Sequence, residues 1–162
     1  MAFDIQARAA IGGPAPDDVQ LVLNTPTLQE ILGDIVSANL GTNLPGPFFN
    51  CTFGLYQNGL IPDENTTFEE LIECNFPGYS RSDALTFSGV GLDDQGNIVV
   101  VADVPDAFQC TGDPDSQQVR GCYIATAGDA NVTLGAAALA DAIDLANGTL
   151  IPATLTVQIG NS

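Results

Sequence analysis

The side chains with the greatest chemical potential in this sequence are four cysteines and 20 carboxylates. There is no histidine and no lysine, so the chain cannot assemble a Ser-His-Asp triad, a Cys-His pair, a Schiff base or a phosphate loop that ends in lysine. A carboxylate pair of the glycosidase type remains, but such sites usually also present aromatic platforms, and the chain has no tryptophan and three tyrosines. We therefore expect no enzymatic activity and no catalytic residues.

The cysteines are Cys51, Cys74, Cys110 and Cys122, and they form no C-x-x-C pair. Without histidine, a zinc site would need all four thiolates at unconventional spacing, so we expect no metal and no cofactor. Three disulfide pairings are open. We favour Cys51 with Cys74 and Cys110 with Cys122, because each pair flanks elements expected to lie side by side and would form in an oxidising medium. Free buried thiols are the alternative.

Two groups of turn residues could ligate calcium: Asp93, Asp94 and Asn97 in one turn, and Asp113 and Asp115 in another. Neither group follows the spacing D-x-[DN]-x-[DN]-G, and neither has an evident bidentate glutamate. We interpret both as solvated turn acids.

The net charge of -17 repels phosphate backbones, and three scattered arginines cannot form a nucleic-acid footprint. The same field disfavours anionic membranes, and the longest apolar runs are far shorter than the roughly 20 residues that span a bilayer. The N-terminus carries Asp4 and lacks a continuous apolar region, unlike a Sec signal peptide. We expect no nucleic-acid partner, no membrane partner, and export by another route, such as release inside a particle.

The Gly-rich and Pro-rich composition with few charges favours strands and turns over long helices. Strands are predicted at residues 51–57, 84–88, 98–104, 107–110, 119–127 and 153–159. The turn residues at 93–97 predict a hairpin. This spacing is typical of an antiparallel β-sandwich or barrel.

Outside these strands, residues 1–24 contain the sequence GGPAPDD, which predicts an extended N-terminal arm. Residues 26–40 predict a helix, because Leu28, Ile31, Leu32 and Ile35 recur at helical spacing. The Ala-rich residues 134–146 could form a second helix, and residues 68–74 either a short helical turn or an irregular edge. The expected organisation is an arm, 1–24, followed by a single β-rich domain, 25–162.

Residues 55–81 carry the pattern L-Y-x-N, P-D-x-x-T, F-x-E and F-P-G-Y. This segment resembles a family of small, mostly uncharacterised virion-associated proteins encoded by tailed bacteriophages. The resemblance extends weakly to the preceding helix, to Val119, Gly121 and Tyr123, and to Asn147 and Gly148. The family as a whole is less rich in cysteine and lacks so long an arm. It provides no catalytic residues to transfer.

The resemblance implies a virion protein, assembled in the host cytoplasm and released with the particle. Together with the composition it predicts a capsid decoration or cement protein on the outer capsid surface, a homo-oligomer whose partners are the major capsid protein or other virion proteins. The alternative is a tail or head-fibre module that binds host surface glycans. Its candidate aromatic residues are Phe48, Phe49, Tyr56 and Tyr79.

Overall fold

The computed structural model describes residues 3–12, 17–24, 51–83, 85, 88–92, 98–104, 108–126 and 133–161. Its strands are β1 (Phe3–Ile11), β2 (Asp17–Leu23), β3 (Cys51–Tyr56), β4 (Ser88–Leu92), β5 (Ile98–Asp103), β6 (Phe108–Gln109), β7 (Gln118–Thr126), β8 (Thr133–Asp144), β9 (Leu150–Ile151) and β10 (Ala153–Asn161). A 3-10 turn at Phe68–Glu70 is the helical element of these ranges. In the described part of the chain, no helix has the length and apolar character needed to cross a membrane. The helix predicted at 26–40 lies outside the described residues.

Eight strands form one antiparallel sheet in the order β3-β7-β8-β2-β1-β10-β5-β4, and β6 pairs with β9. The chain is therefore mainly β, as predicted. Five predicted strands correspond to β3, β5, β6, β7 and β10, and Leu92 pairs with Ile98 in the hairpin expected between β4 and β5. The strand predicted at 84–88 falls largely outside the described residues, and β4 begins at Ser88.

The expected N-terminal arm is wrong for its described residues, because β1 and β2 lie in the middle of the sheet. β1 pairs with β10 from Phe3↔Asn161 to Ile11↔Ala153, and β2 joins β1 to β8. The residues of β1 alternate as in a half-buried strand, with Ala7, Ala9 and Ile11 buried. This alternation is hard to recognise in the sequence because the buried side chains of Ala7 and Ala9 are small. The Gly-Pro-rich residues that suggested an arm lie between β1 and β2 in the sequence.

The second helix considered at 134–146 is also wrong, since these residues form β8. On the neighbouring strand β7, Tyr123 lies opposite Ala136 and Gly121 lies opposite Ala138. Alanine favours helices in isolation, but strand preference depends on side-chain packing against cross-strand neighbours. Here the small alanine side chain leaves room beside a large tyrosine ring, so packing overrides intrinsic propensity.

The strands β3 and β7 each carry the sequence Gly-x-Tyr, and the two copies pair reciprocally. Gly54 lies opposite Tyr123, and Tyr56 lies opposite Gly121. Each ring covers the backbone of the facing glycine so closely that a Cβ atom there would overlap the ring. Aromatic side chains stabilise strand glycines by covering their exposed backbone. The glycines therefore make room for two fully buried tyrosines.

The sheet buries apolar side chains on both faces of β3 and β7. The larger cluster contains Phe53, Leu55 and Ile124 from these strands, and it continues to Leu155 of β10 and Phe108 of β6. A smaller cluster on the opposite face contains Tyr56, Leu71, Tyr123, Ala125 and Ala136. Residues of the 57–83 segment enter both clusters, so this segment covers the sheet rather than extending from it.

Replacing Gly121 by alanine should destabilise the protein by about 2 kcal/mol, because the new methyl group displaces the Tyr56 ring from a packed position. Urea unfolding monitored by circular dichroism measures this change. The matched control is Gly59→Ala, where the added Cβ meets no atom within 4 Å. Equal stability of the two variants would contradict the proposed ring-on-glycine packing.

Candidate functional site

The edge of β3 that faces away from β7 forms hydrogen bonds with residues between Ile72 and Leu85 of the same chain. Phe53 donates its backbone N–H to Ser82 Oγ at 2.8 Å and accepts the Ser82 N–H at 2.9 Å. Cys74 donates to the Leu55 carbonyl at 2.9 Å, and Leu85 donates to the Cys51 carbonyl at 2.8 Å. An exposed strand edge is a template for pairing with another chain. This edge is closed by the protein itself.

Local hydrogen bonds of motif residues shape the segment that leads to this edge. The Asp63 carboxylate accepts the Asn65 N–H at 2.9 Å, and the Asp63 N–H donates to Thr66 Oγ1 at 2.8 Å. Asn58 donates its side-chain amide to the Glu70 carbonyl and accepts the Ile72 N–H, both at 3.0 Å. Side-chain to backbone bonds of this kind shape turns. The L-Y-x-N and P-D-x-x-T motifs therefore fold residues 57–83, which we call the cover, over the β3–β7 face.

The F-P-G-Y motif forms a further turn. Gly78 has φ +89°, a left-handed conformation that suits glycine, and the Tyr79 N–H donates to the Phe76 carbonyl at 2.9 Å. The Tyr79 ring stacks on Phe108 at a centroid distance of 5.7 Å, at the edge of the larger core cluster. This turn thereby places the Tyr79 hydroxyl beside β3.

The candidate site is the Glu73 cluster, which consists of Glu73, Tyr79, Arg81 and Tyr123. Glu73 Oε2 accepts hydrogen bonds from the Tyr79 hydroxyl at 2.8 Å, from the Tyr123 hydroxyl and from Arg81 Nε at 3.3 Å. Glu73 Oε1 accepts from Arg81 Nη2 at 3.3 Å. The Arg81 guanidinium also lies 5.1 Å from the centroid of the Phe68 ring. One carboxylate thus joins β7 to the cover.

Burial alone would raise the pKa of Glu73, but hydrogen bonds from Tyr123, Arg81 and Tyr79 favour the charged form and hold the pKa below its usual value. Burial raises the pKa of both Tyr79 and Tyr123, and the neighbouring carboxylate raises them further. Burial would lower the pKa of Arg81, whereas its bonds to Glu73 raise it. The cluster therefore contains an ionised acid, a cation and two neutral phenols.

This arrangement suits structural support better than acid–base catalysis. A general acid needs a proton to give, and a general base needs a carboxylate whose lone pairs can reach a substrate. Both Glu73 oxygens already accept hydrogen bonds from protein groups. The Tyr79 hydroxyl in addition accepts the Leu55 N–H at 3.1 Å, so it is engaged on both sides. The Glu73 cluster fixes the cover on the sheet.

The four cysteines are free and buried thiols, so the predicted disulfides are wrong. The Cys74 N–H donates to the Leu55 carbonyl of β3. Cys51 lies four residues before Leu55 on that strand, which places it roughly 13 Å from Leu55 at the usual rise per residue. Cys122 lies opposite Leu55, whereas Cys110 bonds to Thr149 and Gly148. Burial raises the pKa of Cys51, Cys74 and Cys122 to about 12, which keeps these thiols protonated.

Asp113 and Asp115, the calcium candidates among the described residues, do not form a metal site. Asp113 accepts the Asp115 N–H at 2.9 Å in an exposed turn, and Asp93, Asp94 and Asn97 lie outside the described residues. Within the described ranges, no group of three or more His, Cys, Asp or Glu side chains could hold a metal.

The aromatic candidates do not line a described groove either. Tyr56 is fully buried, Tyr79 belongs to the Glu73 cluster, and Phe48 and Phe49 lie outside the described residues.

Sequence reasoning missed the Glu73 cluster because its members are separated by up to 50 residues. A faint signal was present: Arg81 is one of three cations in a chain with 20 acids, and it closes the motif segment. An arginine in a chain so rich in acids is expected to pair with a carboxylate, but the sequence does not identify which carboxylate. Comparison of the chain with protein-family models, with curated proteins and with solved structures gives no match.

Replacing Glu73 by glutamine should lower the free energy of unfolding at neutral pH by about 2 kcal/mol, because three donors lose a charged acceptor. A lowered pKa stabilises the fold above the unfolded value of about 4.3 and loses that contribution as pH falls through the folded pKa. The deficit of the variant should therefore shrink in acid. Urea titrations across pH test this. Glu69→Gln at an exposed position is the control, and a deficit independent of pH would contradict an ionised Glu73.

All four cysteines should resist alkylation by iodoacetamide in the native protein and react in urea, because burial conceals the thiols from the reagent. Mass spectrometry of non-reduced peptides measures both states. Protein purified without reductant should give four alkylated residues after unfolding. A disulfide-linked peptide pair would contradict this assignment.

Proposed function

We propose that this chain is a bacteriophage structural protein, a capsid decoration or cement protein on the outer surface of the virion. Its partners are then the major capsid protein or other virion proteins, and it functions as a homo-oligomer. Its finer architecture is proposed to be a β-sandwich or barrel, which agrees with a curled sheet whose two faces are both covered near β3 and β7.

The observation that carries the proposal is that the most reactive described side chains are used to hold the fold. Both oxygens of the Glu73 carboxylate accept hydrogen bonds from protein donors, and the four thiols are buried. The free edge of β3 is closed by its own chain, which limits uncontrolled sheet growth between copies at high local concentration. A repeated building block of a particle needs this kind of self-contained rigidity.

The surface charge supports the same proposal. The cover exposes Asp63, Glu64, Glu69 and Glu70, and the net charge of the chain is -17. Such a surface keeps a protein soluble and repels nucleic acid. These properties suit a position facing solvent on the outside of a particle, away from the packaged genome.

The copy number of the chain in purified particles tests the proposal. Quantitative mass spectrometry should find it at a stoichiometry comparable with that of the major capsid protein, because decoration follows the capsid lattice. A non-structural phage protein measured in the same sample controls for carry-over from the lysate. Absence from particles would refute a virion role, and a handful of copies would refute decoration in favour of a tail position.

A further inference from the structure

We propose that a polar cleft between residues 75–77 and 113–117 binds a neutral carbohydrate. The cleft is open to solvent and has a volume of about 490 Å³, and Gln57, which follows β3, contributes to its wall. This volume lies within the range of about 300–1,000 Å³ for small-molecule sites. The cleft is separate from the Glu73 cluster, whose four members are not among its lining residues.

The two walls of the cleft are joined by reciprocal amide hydrogen bonds. The Asn75 N–H donates to Gln117 Oε1 at 2.8 Å, and Gln117 Nε2 donates to Asn75 Oδ1 at 2.7 Å. Behind them, Thr111 donates its N–H to the Pro77 carbonyl at 2.8 Å, and the Gly112 backbone packs against the Pro77 ring. A site whose walls are already fixed loses little entropy when a ligand binds.

One wall contains two consecutive residues in the left-handed conformation, Asp115 with φ 55° and Ser116 with φ 66°. Glycine adopts this conformation without steric cost, whereas serine adopts it at a steric cost because of its Cβ atom. Strained backbone of this kind concentrates at sites where the side chain has a task. Ser116 is exposed and lines the cleft, so its hydroxyl is available to a ligand.

The lining chemistry selects a neutral polyhydroxyl compound. The described lining contains the carboxylates of Asp113 and Asp115 and the amides of Gln57, Asn75 and Gln117, and it includes no cationic side chain. Of these amides, Gln117 bonds to Asn75 through both of its polar side-chain atoms. Two carboxylates without a compensating cation repel anionic ligands such as phosphates and acidic sugars. Planar amides and carboxylates supply the paired donors and acceptors that adjacent hydroxyl groups require.

The size of the cleft strengthens this assignment. A divalent cation would need six or more converging oxygens in a compact site, whereas this cleft presents two carboxylates in a space larger than an ion. On a particle surface, such a site would retain the virion at a cell covered with neutral glycans.

The test is a titration of isotope-labelled full-length protein with glucose, galactose, mannose, N-acetylglucosamine and their disaccharides, monitored by the backbone amide resonances. At least one sugar should shift the amides of Asn75, Ser116 and Gln117, with an affinity in the millimolar range. Ser116→Gly should weaken that affinity by about tenfold through loss of a hydrogen bond, while unfolding stability stays equal or rises because the strain is relieved. Asp141→Asn, at an exposed position outside the cleft, is the control and should leave the affinity unchanged.

Several outcomes would overturn the proposal. These are no shift at the cleft with any sugar, shifts spread over the surface, an unchanged affinity in Ser116→Gly, and shifts of the same amides by calcium or arginine but by no sugar. The copy number in particles is measured separately, so failure of the sugar site leaves the decoration proposal standing, and the reverse also holds.

Discussion

The contact between the Tyr123 ring and the bare backbone of Gly54 is the interaction on which the rest of this face depends. The ring can lie flat on β3 because glycine has no Cβ, and it then occupies the space beside Ala136 on β8. Its hydroxyl thereby reaches Glu73, which anchors the cover. A larger residue at position 54 would displace the ring and with it one of the three groups that donate a hydrogen bond to Glu73.

The cover in turn resolves two physical problems of the sheet. It buries the aromatic face of β3 and β7, and it supplies hydrogen-bond partners to the backbone groups of β3 that point away from β7. Tyr79 contributes to the second, because its hydroxyl accepts the Leu55 N–H, and its ring packs against the larger core cluster on the other face. Edge protection and burial are therefore provided by the same turn.

The Glu73 carboxylate is partly buried and is stabilised by donors of the protein. Its oxygens accept hydrogen bonds from Tyr79, Tyr123 and Arg81, and these bonds hold its pKa below the usual value. Asp113, Asp115 and Ser116 are exposed and line a cleft whose walls are joined by the bonds between Asn75 and Gln117. This cleft is where we propose that a ligand binds.

The sequence by itself determined the mainly β class and the positions of β3, β5, β6, β7 and β10, because strand periodicity and turn chemistry are local. Only the tertiary structure decided the rest. β1 and β8 are built from small residues whose strand character comes from their neighbours, and Ala136 is a strand residue because Tyr123 lies beside it. The cysteine pairs were predicted from proximity along the chain. In the structure, however, Cys51 begins β3, whereas Cys74 bonds to Leu55 near the other end of that strand. Glu73 and Tyr123, 50 residues apart, are joined by pairing that no local pattern encodes.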